Sequence, residues 1–329
     1  MCTGGMMLNS YISISRNKLF VWSVTLTLLL FMAFHLMYFE TFSREVLKND
    51  LSAKRFHFIE KNGNTIKIAA IGTSHTGDSM QIDEDYFINY ARSGSWDPMV
   101  AYAKASQLLH SAVNLKVLLL EVDHICLLSY DPILHTVAPE QYLYLLKHVK
   151  KPLYEKNRLY DNEGKISWLL SLQSDVAPVI HRKYFQSYLM GRENKKEVIS
   201  PWSTLTSKEK IESAKKRTHS YRIDTPSYIN KAVRDYYVEA IREAKKKGVK
   251  VYLLFNPQSK EYFAEIDEEN NILVNTFVSE LAKKDNVSVL DYRYYFKSDE
   301  SFFENQDHVN KKGSEVISRE VVKVIKNDL

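Results

Sequence analysis

Apolar residues gather in five short runs along this chain, and amphipathic stretches with helical spacing separate them. The runs are "TIKIAAIG" (65–72), "FINYA" (87–91), "LKVLLLEVD" (115–123), "VKVYLLF" (249–255) and "VSVLD" (287–291). Each has strand length and is bounded by turn residues, and most are apolar at successive positions, as a strand buried on both faces must be. Strands alternating with helices predict an α/β domain built on a doubly wound, parallel, five-stranded sheet.

The helical stretches carry their own signals. Residues 226–248, "PSYINKAVRDYYVEAIREAKKKG", predict a helix with Pro226 in its first turn and lysines followed by Gly248 at its end. Residues 310–326 predict a closing helix, with Val316, Ile317, Val321, Val324 and Ile325 toward the sheet. Between the third and fourth runs, residues 130–222 are too many for a loop in a compact domain and predict a helical insertion or lid.

One stretch breaks the alternation. Residues 19–39, "LFVWSVTLTLLLFMAFHLMYF", hold twenty-one positions without a formal charge, enough to cross a bilayer as one helix. The run is longer than a signal-peptide core and no small-residue cleavage site follows it. The expected layout is a cytoplasmic tail (1–18), a transmembrane helix (19–39), a connector (40–64) and an α/β domain (65–329) that carries the insertion. The basic residues after the span, Arg44, Lys48, Lys54 and Arg55, would hold the domain inside on a bare count. Large domains cross largely regardless of such charges, so the domain is expected outside the cytoplasm at the cell membrane, with the lipid bilayer as a partner.

Composition narrows the classes. With 329 residues, 45% hydrophobic and 26% charged, the chain is an ordinary globular protein able to bury a full core. A net charge of +5, spread over mixed-sign runs such as "REAKKKGVK", gives no phosphate-tracking stripe and argues against nucleic acid. The two cysteines, Cys2 and Cys126, would lie on opposite sides of the membrane and cannot pair. His110, His124, His135, His181 and His219 show no ligand spacing, so no metal is expected.

Candidate chemistry concentrates in "KIAAIGTSHTGDSMQ", which offers two serines. Ligands of an open parallel sheet bind beyond the carboxyl ends of its strands. Ser74 falls at that edge, two residues after the strand-ending Gly72, and first-turn N–H groups beside it could bind an oxyanion. Ser79, about one and a half turns along a helix expected to start near Thr76, faces away. The P-loop spacing of Gly72 to Ser79 fails at Asp78, where a lysine should neutralise phosphate. A base for Ser74 comes from "FFENQDHVNKKGSEVIS": His308 sits between the last strand and the closing helix, flanked by Asp307 and Asn305. Asp307 and Asn310 both have the chemistry to cap that helix.

"AAIGTSHT" and "ENQDHVNKKGSEVIS", set around this alternating pattern, resemble the SGNH (GDSL-type) hydrolase superfamily. They are similar in particular to its membrane-anchored, extracytoplasmic members, which act in polysaccharide O-acetylation and in teichoic-acid D-alanyl transfer. The resemblance implies a flavodoxin-like sheet, no cofactor, and a serine esterase or O-acyltransferase acting on a cell-surface glycan or acylated polymer, with a membrane-bound acyltransferase as a possible partner. It makes Ser74 the nucleophile, His308 the base, and the Ser74 and Gly94 backbones the oxyanion donors. The sequence departs from the pattern twice. Asn305 stands where the family carries the aspartate that orients the base, leaving Asp307 as the alternative carboxylate. The third block, "LEVDHIC", lacks the usual asparagine, leaving Asn256 as the substitute donor, with His75, Asp123 and His124 lining the site. The competing expectation is a degenerate member of the same fold that binds a polysaccharide or a membrane acyltransferase without catalysis.

Overall fold

The computed structural model describes residues 18, 20–27, 29, 30, 33, 51–91, 98–128 and 201–329. Two compact units divide the chain, Met1–Asp50 and Leu51–Leu329. In the first unit the described residues are helical, and the side chains of Phe20, Trp22, Leu26 and Leu30 are exposed. Among the described residues no helix is long and apolar enough to cross a membrane. Most of the predicted tail and span, the connector before Leu51, and residues 129–200 of the predicted insertion lie outside the described residues.

The second unit is built on five parallel strands: β1 (Ile68–Ile71), β2 (Phe87–Asn89), β3 (Val117–Glu121), β4 (Lys250–Phe255) and β5 (Val287–Asp291). Their order is β2-β1-β3-β4-β5, which reverses direction between β1 and β3. Around them lie α1 (Leu51–Asn62), α2 (Ser74–Ser79), α3 (Pro98–Ser111), α4 (His124–Leu128), α5 (Ser207–Tyr221), α6 (Lys231–Lys246), α7 (Lys260–Ala264), α8 (Glu268–Ala282) and α9 (Lys311–Ile325).

Strand alternation explains the two faces. Ala69, Ile71, Leu118, Leu120 and Leu253 enter the larger core, where α3, α6 and α8 pack. Ile68, Ala70, Val117, Leu119 and Leu254 enter the smaller one with α9. Each fully buried aliphatic side chain contributes about 1.5–3 kcal/mol, so slipping any strand by one residue would exchange both cores at once.

Three boundaries and one helix face differ from the expectation, each for a local reason. The second half of the predicted connector is helix α1, whose Phe56 and Ile59 are buried one turn apart in the larger core. Helix α6 begins at Lys231 rather than near Pro226, because the Asn230 side chain caps it by accepting from Ala232 N at 2.8 Å. At its far end Gly248 takes the left-handed conformation, φ 68°, that ends a helix. Residues 201–222, assigned above to the insertion, belong to the domain: Trp202 and Ala214 are buried in its two cores. On α9 the sheet-facing row is Ile317, Val321 and Ile325, and Val324 falls beside it, exposed.

Candidate active site

Strand β1 delivers the chain to the carboxyl edge of the sheet, and the turn into α2 is held by a side chain from β3. Glu121, fully buried, accepts from Thr73 N at 2.7 Å, Thr73 Oγ1 at 2.7 Å and Thr76 N at 3.3 Å. Gly72 is required by that close approach, since a Cβ there would lie 2.2 Å from Glu121 Oε2 and 2.6 Å from Thr76 Oγ1. Thr73 is the N-cap, accepting from His75 N at 3.2 Å, and the helix starts at Ser74, not near Thr76. With the cap assigned to its neighbour, the half-buried Ser74 keeps its hydroxyl free to project from the first turn.

Its partner comes from the loop before α9. His308 Nε2 lies 2.7 Å from Ser74 Oγ. On the other side of the ring, Nδ1 lies 2.9 Å from Asp307 Oδ1 and 3.0 Å from Asn305 Oδ1. Both neighbours of Nδ1 are acceptors, so this nitrogen carries the proton and Nε2 presents its lone pair to the serine hydroxyl. The adjacent Asp307 therefore does meet the ring, and Asn305 shapes the loop by accepting from Asp307 N at 3.1 Å and His308 N at 3.0 Å. Asn310 takes the cap of α9, accepting from Gly313 N at 3.1 Å, which leaves Asp307 to the histidine.

The network continues behind Asp307. Its second oxygen, Oδ2, accepts from Arg217 Nε of α5 at 2.8 Å and lies 3.2 Å from His75 Nε2. His75 Nδ1 in turn lies 2.9 Å from Asp123 Oδ2. Burial disfavours charge on the His75 ring, but its hydrogen bonds to Asp123 and Asp307 and their negative charge outweigh it, holding the ring well above its ordinary value. Burial would raise Asp307; the hydrogen bonds from His308 and His75 instead keep it well below the usual carboxylate range. Asp78 approaches His308 Nε2 from the solvent side at 3.8 Å and is raised, first by burial and then by Glu304 and Asp307 working against His308 and His75.

The remaining expected site residues divide. Asp123 joins the network as described, and Ser79 is buried, its hydroxyl between the His75 carbonyl and Asn256 Oδ1. Asn256 is corrected as an oxyanion donor: its amide hydrogens go to Thr76 Oγ1 and Asp123 Oδ2, both at 3.1 Å, and are spent inside the turn. His124 packs edge-on against Phe263, is lowered to about 4 by burial and then by Arg293, and joins none of the hydrogen bonds linking Ser74, His308 and Asp307. Gly94 lies outside the described residues. Among the described residues the Ser74 N–H has no acceptor, while those of Thr73, His75 and Thr76 do.

Two acid–histidine groups have a cation's ligand types within 4.8 Å of one another, His75 with Asp307 and His308, and His75 with Glu121 and Asp123. The nitrogen–oxygen contacts of 2.9 and 3.2 Å at His75 are hydrogen-bond lengths between groups already facing each other, and we read them as proton contacts.

No protein-family model and no curated protein matches the chain. Among solved structures it is similar to a Bacteroides fragilis protein provisionally named an acylhydrolase, with a TM-score of 0.35 and 9% sequence identity, covering 85% of this chain and 98% of that one. Likeness at this level carries no argument, and the chemistry rests on the side chains.

Proposed function

We propose that the chain is a serine esterase or O-acyltransferase of SGNH type that works through an acyl-enzyme. The observation that carries this reading is the 2.7 Å contact between Ser74 Oγ and His308 Nε2, with the far side of the same ring held by Asp307 at 2.9 Å. A hydroxyl is a weak nucleophile until a base takes its proton, and this contact supplies the base and its orienting acid together. Ser74 Oγ attacks the ester carbon as its proton passes to His308 Nε2. The Ser74 N–H, with Gly94 as the proposed second donor, holds the oxyanion. His308 then gives the proton to the departing alcohol. A water or sugar hydroxyl, deprotonated by the same nitrogen, releases the acyl group and restores Ser74.

The finer reading follows the sequence. The uncharged residues 19–39 would anchor the domain in the cell membrane, and the exposed Phe20, Trp22, Leu26 and Leu30 are the side chains such an anchor presents to lipid. The domain would act outside the cytoplasm on an acylated glycan or polymer, alone or beside a membrane-bound acyltransferase. Hydrolase and transferase share the first half-reaction and differ in which hydroxyl reaches the acyl-enzyme.

The test is covalent labelling of the full-length protein in detergent by a fluorophosphonate, with the modified peptide identified by mass spectrometry. Label on Ser74 that is lost in His308→Ala is the expected result. A folded protein that takes no label would instead assign the fold to binding without catalysis.

A further inference from the structure

His75 lies behind the proposed catalytic histidine, with no exposure to solvent to speak of, and both of its ring nitrogens face carboxylates. A neutral imidazole has one N–H and one lone pair. Whichever nitrogen kept the lone pair would point it at a carboxylate oxygen, Asp123 Oδ2 at 2.9 Å or Asp307 Oδ2 at 3.2 Å. Both carboxylates are already engaged as acceptors, the role of the ionised form. Asp123 already accepts from Asn256 N at 3.0 Å and Asn256 Nδ2 at 3.1 Å, and Asp307 from Arg217 Nε at 2.8 Å with the His308 ring on its other oxygen. We propose that His75 is a standing imidazolium, both protons held between Asp123 and Asp307, and that it is a positioning residue that fixes Asp307 and sets the basicity of His308. This rests on the serine–histidine reading for its purpose, though not for its chemistry.

The charge count explains why the fold would keep such a group. Among the described residues three buried carboxylates converge here: Asp123 and Asp307 on the ring nitrogens, and Glu121 with Oε1 3.9 Å from Nδ1. Two cations answer them, Arg217 and the His75 imidazolium, so one negative charge is left over. That charge is cancelled when His308, whose ring stands edge-on to His75 with centroids 4.8 Å apart, takes the proton of Ser74. The cluster is thus balanced in the state in which the serine is attacking, rather than at rest. Without the imidazolium two negative charges would remain beneath His308, and they would hold the proton it takes from Ser74 more tightly when it has to be given to the leaving group. Among the described residues the exposed side adds Asp78, at 3.8 Å from Nε2 and half in water, where its charge is screened, with Glu304 acting on Asp78.

The same arrangement positions Asp307. An aspartate next to its histidine in sequence has a poorly constrained side chain; here Oδ2 is held by Arg217 Nε and His75 Nε2 so that Oδ1 turns to His308 Nδ1. His75 and Arg217 come from α2 and α5, so two elements far apart in sequence fix one carboxylate.

The experiment is nitrogen-15 NMR of histidine-labelled full-length protein in detergent, read from pH 5 to 9, with Arg217→Gln beside the wild type. The expected result is one ring, His75, with both nitrogens protonated and no titration across the range. In Arg217→Gln, which removes the other cation at a partly exposed edge and leaves His75 in place, the His308 ring should keep its second proton to higher pH than in the wild type. His75→Gln, where it folds, should move the His308 titration further and shift the acid limb of the labelling rate the same way. A wild-type His75 that shows a single protonated nitrogen, or that titrates between pH 5 and 8, overturns the proposal. An unmoved His308 in a folded His75→Gln, or in Arg217→Gln, overturns the tuning role of His75 or of Arg217 respectively. Both readings come from the ring nitrogens, so they stand even if fluorophosphonate leaves Ser74 unmodified and the esterase reading fails.

Discussion

Arg217 Nε donates to Asp307 Oδ2 at 2.8 Å, across 90 residues of sequence. The contact ties α5 to the candidate site, and neighbouring bonds reinforce it: Ser213 Oγ donates to Gln306 Oε1 at 3.1 Å, and Lys210 pairs with Glu300. The guanidinium is about one-third exposed, so its Coulomb energy is screened, but the carboxylate it faces is fully buried. Arg217→Ala should therefore cost about 1–2 kcal/mol in urea unfolding, mostly from leaving a buried acceptor under-satisfied. Arg217→Lys should recover part of that and less of the labelling rate, since an ammonium cannot keep the same planar donor. A stability unchanged within error in Arg217→Ala would mean that α5 is only resting on the loop.

Gly72 tests the turn itself. Its missing Cβ would fall 2.2 Å from Glu121 Oε2, a buried atom that also accepts from Thr73 N and Thr76 N. Gly72→Ala must push that carboxylate out of a site where its hydrogen bonds cannot be replaced. The expected cost is about 3 kcal/mol or failure to fold, read from unfolding midpoints. An alanine variant of wild-type stability would show that the turn has room the geometry denies it.

The two side chains that meet His308 Nδ1 should separate by effect. Asp307→Asn keeps the shape of the side chain but removes the charge facing Nδ1, and a loss of about 10³–10⁴ in labelling rate is expected. Asn305→Ala removes the acceptor of two loop N–H groups, and the expected loss is about tenfold, with a stability cost of about 1–2 kcal/mol. If Asn305→Ala were the more damaging to rate, the orienting group would be Asn305 and the assignment here would be reversed. Ser79→Ala offers the complementary control: label should remain on Ser74, with about 1 kcal/mol lost from the buried hydroxyl contacts.

The strands were legible because burial on both faces leaves a direct trace in sequence: the predicted run 249–255 matches β4 to within a residue, and the edge strand β5 kept its bounds, 287–291, though it is partly exposed. Ser74 and His308 were legible because strand ends and the loop before a closing helix fall on one edge of a parallel sheet, so topology alone brings them near each other. What topology does not encode is which side chain from another element fills a given hydrogen bond. Glu121, at the end of the third run, is the clamp on the turn; Asn256 looked like a donor to substrate and is locked to Asp123. Arg217 carried no signal at all, because a lone arginine in a mixed-charge helix reads as solvated until the fold places Asp307 beside it. The position of α6 was missed for a smaller reason, the preference of a capping asparagine over a proline four residues earlier.

The buried pair also predicts how stability depends on pH. His75 is held above its ordinary 6.5 in the folded chain, so the stabilisation from its two carboxylates is complete below pH 6.5, where both folded and unfolded chains carry the proton. Above that, the unfolded chain sheds the proton and the folded one keeps it, and the contribution declines until the folded ring itself titrates. Asp307 is held below its ordinary 3.8, so its contribution is complete above pH 3.8 and is lost as the pH falls through the folded value. Both are therefore fully present between pH 3.8 and 6.5. One proton of difference is worth about 1.4 kcal/mol per pH unit. Urea unfolding of the wild type between pH 6.5 and 8.5 should accordingly lose stability more steeply than His75→Gln, by up to that slope, because the variant has no proton to keep. Parallel slopes in the two proteins would mean that the His75 proton is no more tightly held in the fold than in the open chain, and the charge balance drawn around Asp307 would have to be redrawn without it.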